Sequence, residues 1–324
     1  MGNMFSLGRL LSLALALTVA GVCEAWSATV AVLKSDDLPH YTRAVEGFRA
    51  AIPPSTTVVE HLLSSHVAES RRTGQAVRAS RPDLVLAIGL RAALTAKLEI
   101  PDIPVVFCLV LYPERSGLPA ANMAGISMHP SIEYQLSSLR SVLSEAKRVG
   151  LFHGETTSQR FLAEAKRKAR QFGLEVVPVA LPQGGDVPAA VRGLKPIDAI
   201  WIVPDPDVVT GETLEFLLAY SFEAGVPLFA FSTTLVQHGA VGASYLDSHD
   251  VGVQAARLAL RLLDGGDALP LGTLFPAEQP RLAVNERAAE HFQLAIPSTT
   301  LQAATARFGA GSLAQGDLPP HFVP

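Results

Sequence analysis

The chain has 324 residues, 48% of them hydrophobic and 6% aromatic, with 26 Lys and Arg against 30 Asp and Glu for a net charge of −4. That length suggests about two domains, and the low aromatic content points to aliphatic cores. The pI near 6.1 and the want of any dense basic cluster exclude an electrostatic case for nucleic-acid binding.

Residues 1–27 read as an export signal. Arg9 supplies the positive start, Leu10 to Val19 the apolar stretch, and Ala25 and Ser27 the small residues before a cut at Ala28, with a cut after Ala25 as the alternative. The apolar stretch is shorter than the ~18 residues of a spanning helix. Ala20-Gly21-Val22 lacks the small residue expected just before a lipoprotein cysteine, which argues against lipid anchoring at Cys23. Cys108 is then alone in the mature chain, within the apolar run Val105 to Leu111, and reads as a buried structural thiol. The mature protein is expected to be soluble, monomeric and periplasmic.

Thr29 to Lys34 is a strand by its β-branched and aliphatic content, and His40 to Ala51 a helix with Tyr41, Val45 and Phe48 at helical spacing, ended by Pro53-Pro54. Thr56 to Leu63 (strand) and Ala68 to Ser80 (helix) repeat the rhythm. Leu84 to Ile88, between Pro82 and Gly89, is an unbroken apolar run, as in a strand buried on both faces of a parallel sheet. Leu90 to Lys97 follows as a helix and Ile103 to Val110 as a strand. A punctuated stretch from residue 112 to 130 holds Pro113, Gly117 and Pro119 and a short strand at Met123 to Ser127. Ser131 to Leu143 is a helix capped by Ser131.

A second βα series then begins: strands at Arg148 to Phe152, Leu174 to Leu181, Ala199 to Val203 and Val226 to Phe231, with helices at Ser158 to Phe172, Val187 to Leu194 and Gly211 to Ala224. Gly239 to Ser244 reads as a strand, Asp250 to Leu263 as a helix stopped at Gly265-Gly266, Arg281 to Val284 as a strand, and residues 309–324 as a disordered tail. The expected class is α/β: two Rossmann-like lobes with parallel sheets, lobe one from 28–125 and 239–272, lobe two from 126–238 and 273–308, joined by three crossings.

In such sheets ligands bind beyond the carboxyl ends of the strands. Gly89-Leu90-Arg91 at a helix start is a candidate site: Arg91 reads either as the partner of a ligand carboxylate or as a solvated surface arginine. Asp205 and Asp207 follow a strand of the second series; one of them, with Asp205 preferred, could hold an ammonium group, or each could cap a turn. Tyr112, Phe231 and Tyr245 could stack on a ligand or pack at the hinge, and Ser35, Asp36, His153 and Ser158 lie on loops where small polar groups orient a ligand. Trp201 alternates within a buried strand and reads as core. The chain carries no His-Glu-x-x-His, Gly-x-Ser-x-Gly, Walker loop or Gly-x-Gly-x-x-Gly, and its 9 His are scattered, so no enzyme, cofactor or metal site is expected.

The layout resembles a type I periplasmic binding protein, and locally the ABC-transporter substrate-binding family that includes tryptophan- and tyrosine-type binders. Carrying the resemblance are Tyr41, Gly47 and Phe48, Ala87 to Ala93, Asn122 to Ser127, Ala146 to Gly150, Asp198 to Asp205, Gly239-Ala240, Gly252, Leu263 to Gly265 and Val284-Asn285. The resemblance implies capture of a small polar ligand, an amino acid or similar, between the lobes and its delivery to an ABC permease and ATPase. A ligand-sensing subunit of a membrane receptor would share the same residues. Two departures fall where a ligand would be read: Gly89-Leu90-Arg91 where the family often has Gly-Thr-Pro, and Asp205-Pro206-Asp207 where it often has Thr-Asp-Asn.

Overall fold

The computed structural model describes residues 28–154, 157–181, 187–192, 194–205, 208–264 and 270–309. The expected signal with Cys23, Pro206-Asp207, Gly265-Gly266 and the tail from 310 onward lie outside these residues. Among the described residues no helix is long and apolar enough to cross a membrane.

The first series runs β1 (Thr29–Lys34), α1 (Pro39–Ala51), β2 (Thr57–Leu62), α2 (Val67–Ala79), β3 (Leu84–Ile88), α3 (Leu90–Glu99), β4 (Val105–Cys108), a 3-10 turn (Pro113–Ser116) and β5 (Met123–Ile126). The second runs α4 (Ile132–Val142), β6 (Arg148–Gly154), α5 (Gln159–Ala169), β7 (Glu175–Leu181), α6 (Val187–Arg192), β8 (Ala199–Ile202), α7 (Gly211–Ala224), β9 (Leu228–Ala230), α8 (Thr233–Gln237) and β10 (Gly242–Leu246). The chain closes with α9 (Ser248–Leu263), β11 (Thr273–Phe275), β12 (Pro280–Asn285), α10 (Glu286–His291), α11 (Ser298–Ala303) and β13 (Ala306–Phe308). Local chemistry sets many of these ends. Pro39 opens α1, Ser131 caps α4 by accepting the Tyr134 N–H, and Gly173 (φ +69°) and Gly225 (φ +65°) turn the chain after α5 and α7. Ser158 precedes α5 without a side-chain capping bond.

Two separate sheets form, one of six strands in the order β11-β5-β4-β3-β1-β2 and one of seven in the order β13-β12-β10-β9-β8-β6-β7. Every pairing is parallel except β10 with β12. Helices cover both faces, so the central strands are buried throughout, as in β3, β4 and β8. Trp201 is fully buried in the second core, and its indole Nε1 has no hydrogen-bond partner. Cys108 is fully buried in the first, where burial pushes its thiol up to about 12.

Strand pairing corrects two sequence assignments. The strand near Gly239 to Ser244, allotted to lobe one, is β10 and lies in the seven-stranded sheet between β9 and β12. Residues 273–275, allotted to lobe two, form β11 and pair with β5 at the edge of the six-stranded sheet. The helix α9 packs instead on α1, in the core of the first sheet. The chain therefore passes between the sheets three times, through 127–131, at Asp247, and through 276–279.

Asn285 shows how the second lobe is locked. It is 2% exposed; its amide donates to the Val236 carbonyl (2.7 Å) and its oxygen accepts the Ala288 N–H (3.0 Å), joining β12, α8 and α10. Asn285→Ala leaves these buried groups unpaired and should cost roughly 1–3 kcal/mol. Chemical denaturation checks this, with a lowered midpoint at unchanged slope as the expected outcome.

Candidate functional site

In each sheet the strand order reverses beside the first strand of its series, between β1 and β3 and between β6 and β8. The crevice beyond such a reversal is where open α/β sheets place ligands. Ser35, Asp36, Gly89, Leu90 and Arg91 lie at the first reversal; His153, Thr157, Ser158 and Asp205 lie at the second.

A cavity of about 460 Å³ spans the gap between the lobes. The loop after β4 contributes Tyr112, Glu114 and Arg115, the first crossing His129, and the second lobe Thr157, Ser158 and Phe161. Asp205 lies just behind this wall, fully buried. Its Oδ2 accepts the Gly154 N–H (3.1 Å) and the hydroxyl of Thr157, and Arg115 Nη2 reaches its Oδ1 from the opposite lobe at 3.9 Å. The Arg115 guanidinium sits over the Tyr112 ring, 4.8 Å from its centroid, and that ring meets His129 at 4.6 Å. Burial holds the His129 imidazole below its ordinary range, so it is neutral at pH 7, and its Nε2 has no hydrogen-bond partner. Tyr112 adopts left-handed backbone (φ +47°), as does Leu109 (φ +56°), a conformation disfavoured for such side chains and concentrated here in one loop.

A second cavity, of about 650 Å³, opens on lobe one alone at the ends of β1, β3 and β4. Ser35, Asp36, Leu90 and Arg91 line it, with Leu38, Leu94, Leu109, Leu111 and Met128. Gly89 (φ +85°) lets the chain turn from β3 into α3, and any side chain there would strike the Ser35 and Tyr41 hydroxyls. The Ser35 hydroxyl accepts the Ala92 N–H (2.9 Å), capping α3 from a distant loop. Arg91 donates to the carbonyls of Ser35 (2.7 Å) and Ser64 (3.3 Å), tying two loops of its own lobe together.

The candidates from sequence thus divide. Tyr112 and Ser158 line the interlobe cavity, with Asp205 behind its wall; Ser35, Asp36, Leu90 and Arg91 line the lobe-one cavity, with Gly89 at its edge. His153, whose Nδ1 meets the Gly154 carbonyl at 2.8 Å, lines neither. Phe231 and Tyr245 pack on the second core instead, Tyr245 with its hydroxyl 3.2 Å from Thr305 Oγ1. Sequence reasoning passed over Arg115, His129, Thr157 and Phe161. Arg115 had a signal only in hindsight, as a cation in the punctuated stretch after a sheet strand. Among the described residues no group of three or more His, Cys, Asp or Glu could hold a metal ion.

Two largely parallel sheets, three passes between them and a cavity at the facing strand ends make the two-lobed architecture of the type I periplasmic binding fold. The chain belongs to the family of ABC transporter substrate binding proteins, whose family model matches residues 64–307. It is 26% identical over 218 residues to a tyrosine-binding protein of Clostridioides difficile (strain R20291); the match covers 64% of this chain and 61% of that relative, so the chain spans less than two thirds of it. Among solved structures it is similar to an ABC domain in complex with L-Trp from Streptococcus pneumonia (20% identity, TM-score 0.62, covering 87% of this chain and 100% of that one). It is also similar to a ligand-free, open substrate-binding protein with adhesive properties from Clostridium difficile (18% identity, TM-score 0.70, covering 87% and 99%). At these identities the structures share the fold.

Proposed function

We propose that the protein is exported to the periplasm, captures an amino acid or similar small zwitterion between its lobes, and delivers it as a monomer to an ABC permease and ATPase. The supporting observation is the Arg115–Asp205 pair, a guanidinium and a carboxylate 3.9 Å apart that approach from opposite lobes at the interlobe cavity. A zwitterion inserted there exchanges one pair for two: its ammonium takes the place of Arg115 at Asp205, and its carboxylate takes the freed guanidinium. Tyr112 and Phe161 supply aromatic faces for its side chain, and Thr157 and Ser158 hydroxyls to orient it. A ligand held by both lobes favours closure through its higher affinity for the closed state. The names of the tyrosine-binding relative and the L-Trp complex point to the same ligand class.

Arg91, already tied to two carbonyls, acts in this scheme mainly by shaping lobe one. Arg115→Ala should weaken ligand binding roughly tenfold to a hundredfold, the loss of one charge-assisted bond of ~1.5–3 kcal/mol. A thermal-shift panel of the common amino acids, followed by calorimetry on the parent and on Arg115→Ala, tests the reading. A panel in which no amino acid raises the melting temperature contradicts it.

A further inference from the structure

His129 lies in the first crossing between the lobes and lines the interlobe cavity, yet the zwitterion scheme gives it no task. Its ring packs against Tyr112 with centroids 4.6 Å apart, and the Arg115 guanidinium lies 4.8 Å from the centroid of the same tyrosine ring. Arg115 in turn reaches Asp205 of the other lobe. A series of contacts thus runs from the crossing through Tyr112 and Arg115 to the opposite lobe.

The imidazole suits this place only while it is neutral. A charged ring carries an N–H on both nitrogens. The one on Nε2, buried without a partner, would find no acceptor. The ring would also set a second cation against Tyr112, beside Arg115. The carboxylates of Glu114 and Asp205 favour the proton, but burial outweighs them. Among the other described charges of the cavity, Glu133 and Glu164 both pair with Lys168. The backbone decides which side yields. Gln135, 3% exposed, donates to the Pro130 carbonyl at 2.8 Å and pins the crossing to α4 of the second lobe. The Tyr112 loop is the strained side, with left-handed backbone at Leu109 and Tyr112. We infer that His129 is a positioning residue for Arg115: as a neutral ring it backs Tyr112 and keeps the guanidinium at Asp205, and on gaining a proton it displaces the Tyr112 loop and parts the lobes. The inference rests on the Arg115–Asp205 approach and not on the identity of the ligand, so the unliganded protein tests it.

The approached state binds the proton less tightly than the parted one. It is therefore favoured above the ordinary histidine pKa of about 6.5 and lost as pH falls below it, by up to about tenfold per pH unit for one proton. Spin labels at Arg72→Cys on α2 and Glu215→Cys on α7, both exposed, read the interlobe distance by electron double resonance; Cys108 is buried and stays unlabelled. Between pH 7.5 and 5.5 the ratio of short to long distances should fall about tenfold. His129→Phe keeps a ring against Tyr112 but takes up no proton, so its ratio should stay near the parent's pH 7.5 value at both pH values. A packing role alone would leave the parent's ratio independent of pH. A parent distribution unchanged between pH 7.5 and 5.5, or an equal shift in His129→Phe, would overturn the inference. An amino-acid panel without a hit would leave this distance measurement untouched, so the two readings fail separately.

Discussion

Asp205→Asn is expected to lower ligand affinity at least a hundredfold while leaving the protein folded. The carboxylate is fully buried, accepts from Gly154 and Thr157 through Oδ2, and faces Arg115 through Oδ1. An asparagine keeps the shape and can still accept the Gly154 and Thr157 bonds through its oxygen. Its amide nitrogen then turns donors toward Arg115 and toward a ligand ammonium, so an attraction becomes a clash of donors. Losing a charged bond of ~1.5–3 kcal/mol gives tenfold to over a hundredfold, and the added repulsion places the effect at the upper end. Asp205→Ala makes a different contrast. It strips an acceptor from the buried Gly154 N–H and the Thr157 hydroxyl, at roughly 1–3 kcal/mol for a group left unpaired, so its melting temperature should also fall by several degrees. Calorimetry and thermal melts on both variants give the comparison. An Asp205→Asn protein that binds as the parent does would mean that other residues read the cleft.

Gly252→Ala should be strongly destabilising to lobe one. Helices α1 and α9 pack so closely that a Cβ on Gly252 would overlap the Ala44 carbonyl oxygen, and one on Gly47 would overlap the His249 carbonyl oxygen. Both obstacles are backbone, which no rotamer change can clear, and the surrounding core of Phe48, Val251 and Ala255 is closed. Overpacking typically costs 1–3 kcal/mol and here should reach or exceed the top of that range. At ~2–4 °C per kcal/mol for a chain of this size, the melting temperature should fall by roughly 6–12 °C, and Gly47→Ala should match it. Because α9 returns to lobe one through the Asp247 crossing, slippage of α9 against α1 also moves the hinge. Arg43 and Arg281 both reach Asp247, at 3.1 and 3.8 Å, and feel the same shift. A melting temperature within 2 °C of the parent would show that the helices slide apart at little cost.

Sequence exposed what is local. Leu84–Ile88 was legible because a strand covered on both faces must be apolar at every position. Cys108 and Trp201 were legible as core for the same reason. Lobe membership of β10 and β11 was not, because it depends on pairing between distant segments: Gly242 opposite Val284 and Phe229, Thr273 opposite Ala124. A three-residue strand such as β11, only partly buried, carries no periodicity to read. The site divides in the same way. Asp205 stood out as an acid just past a strand of the second series. Arg91 stood out at a helix start, but the carbonyls of Ser35 and Ser64 that engage it belong to other loops. Arg115 sits in an aperiodic turn, and only its 3.9 Å approach to a residue ninety positions away gives it meaning.

The proposed site holds a small molecule between the lobes at Arg115 and Asp205. Native mass spectrometry of the protein as purified, beside Asp205→Asn and Arg115→Ala, tests it most directly. A small-molecule adduct is expected on the parent, lost from Asp205→Asn and depleted from Arg115→Ala. The same adduct at equal occupancy on all three proteins would contradict it.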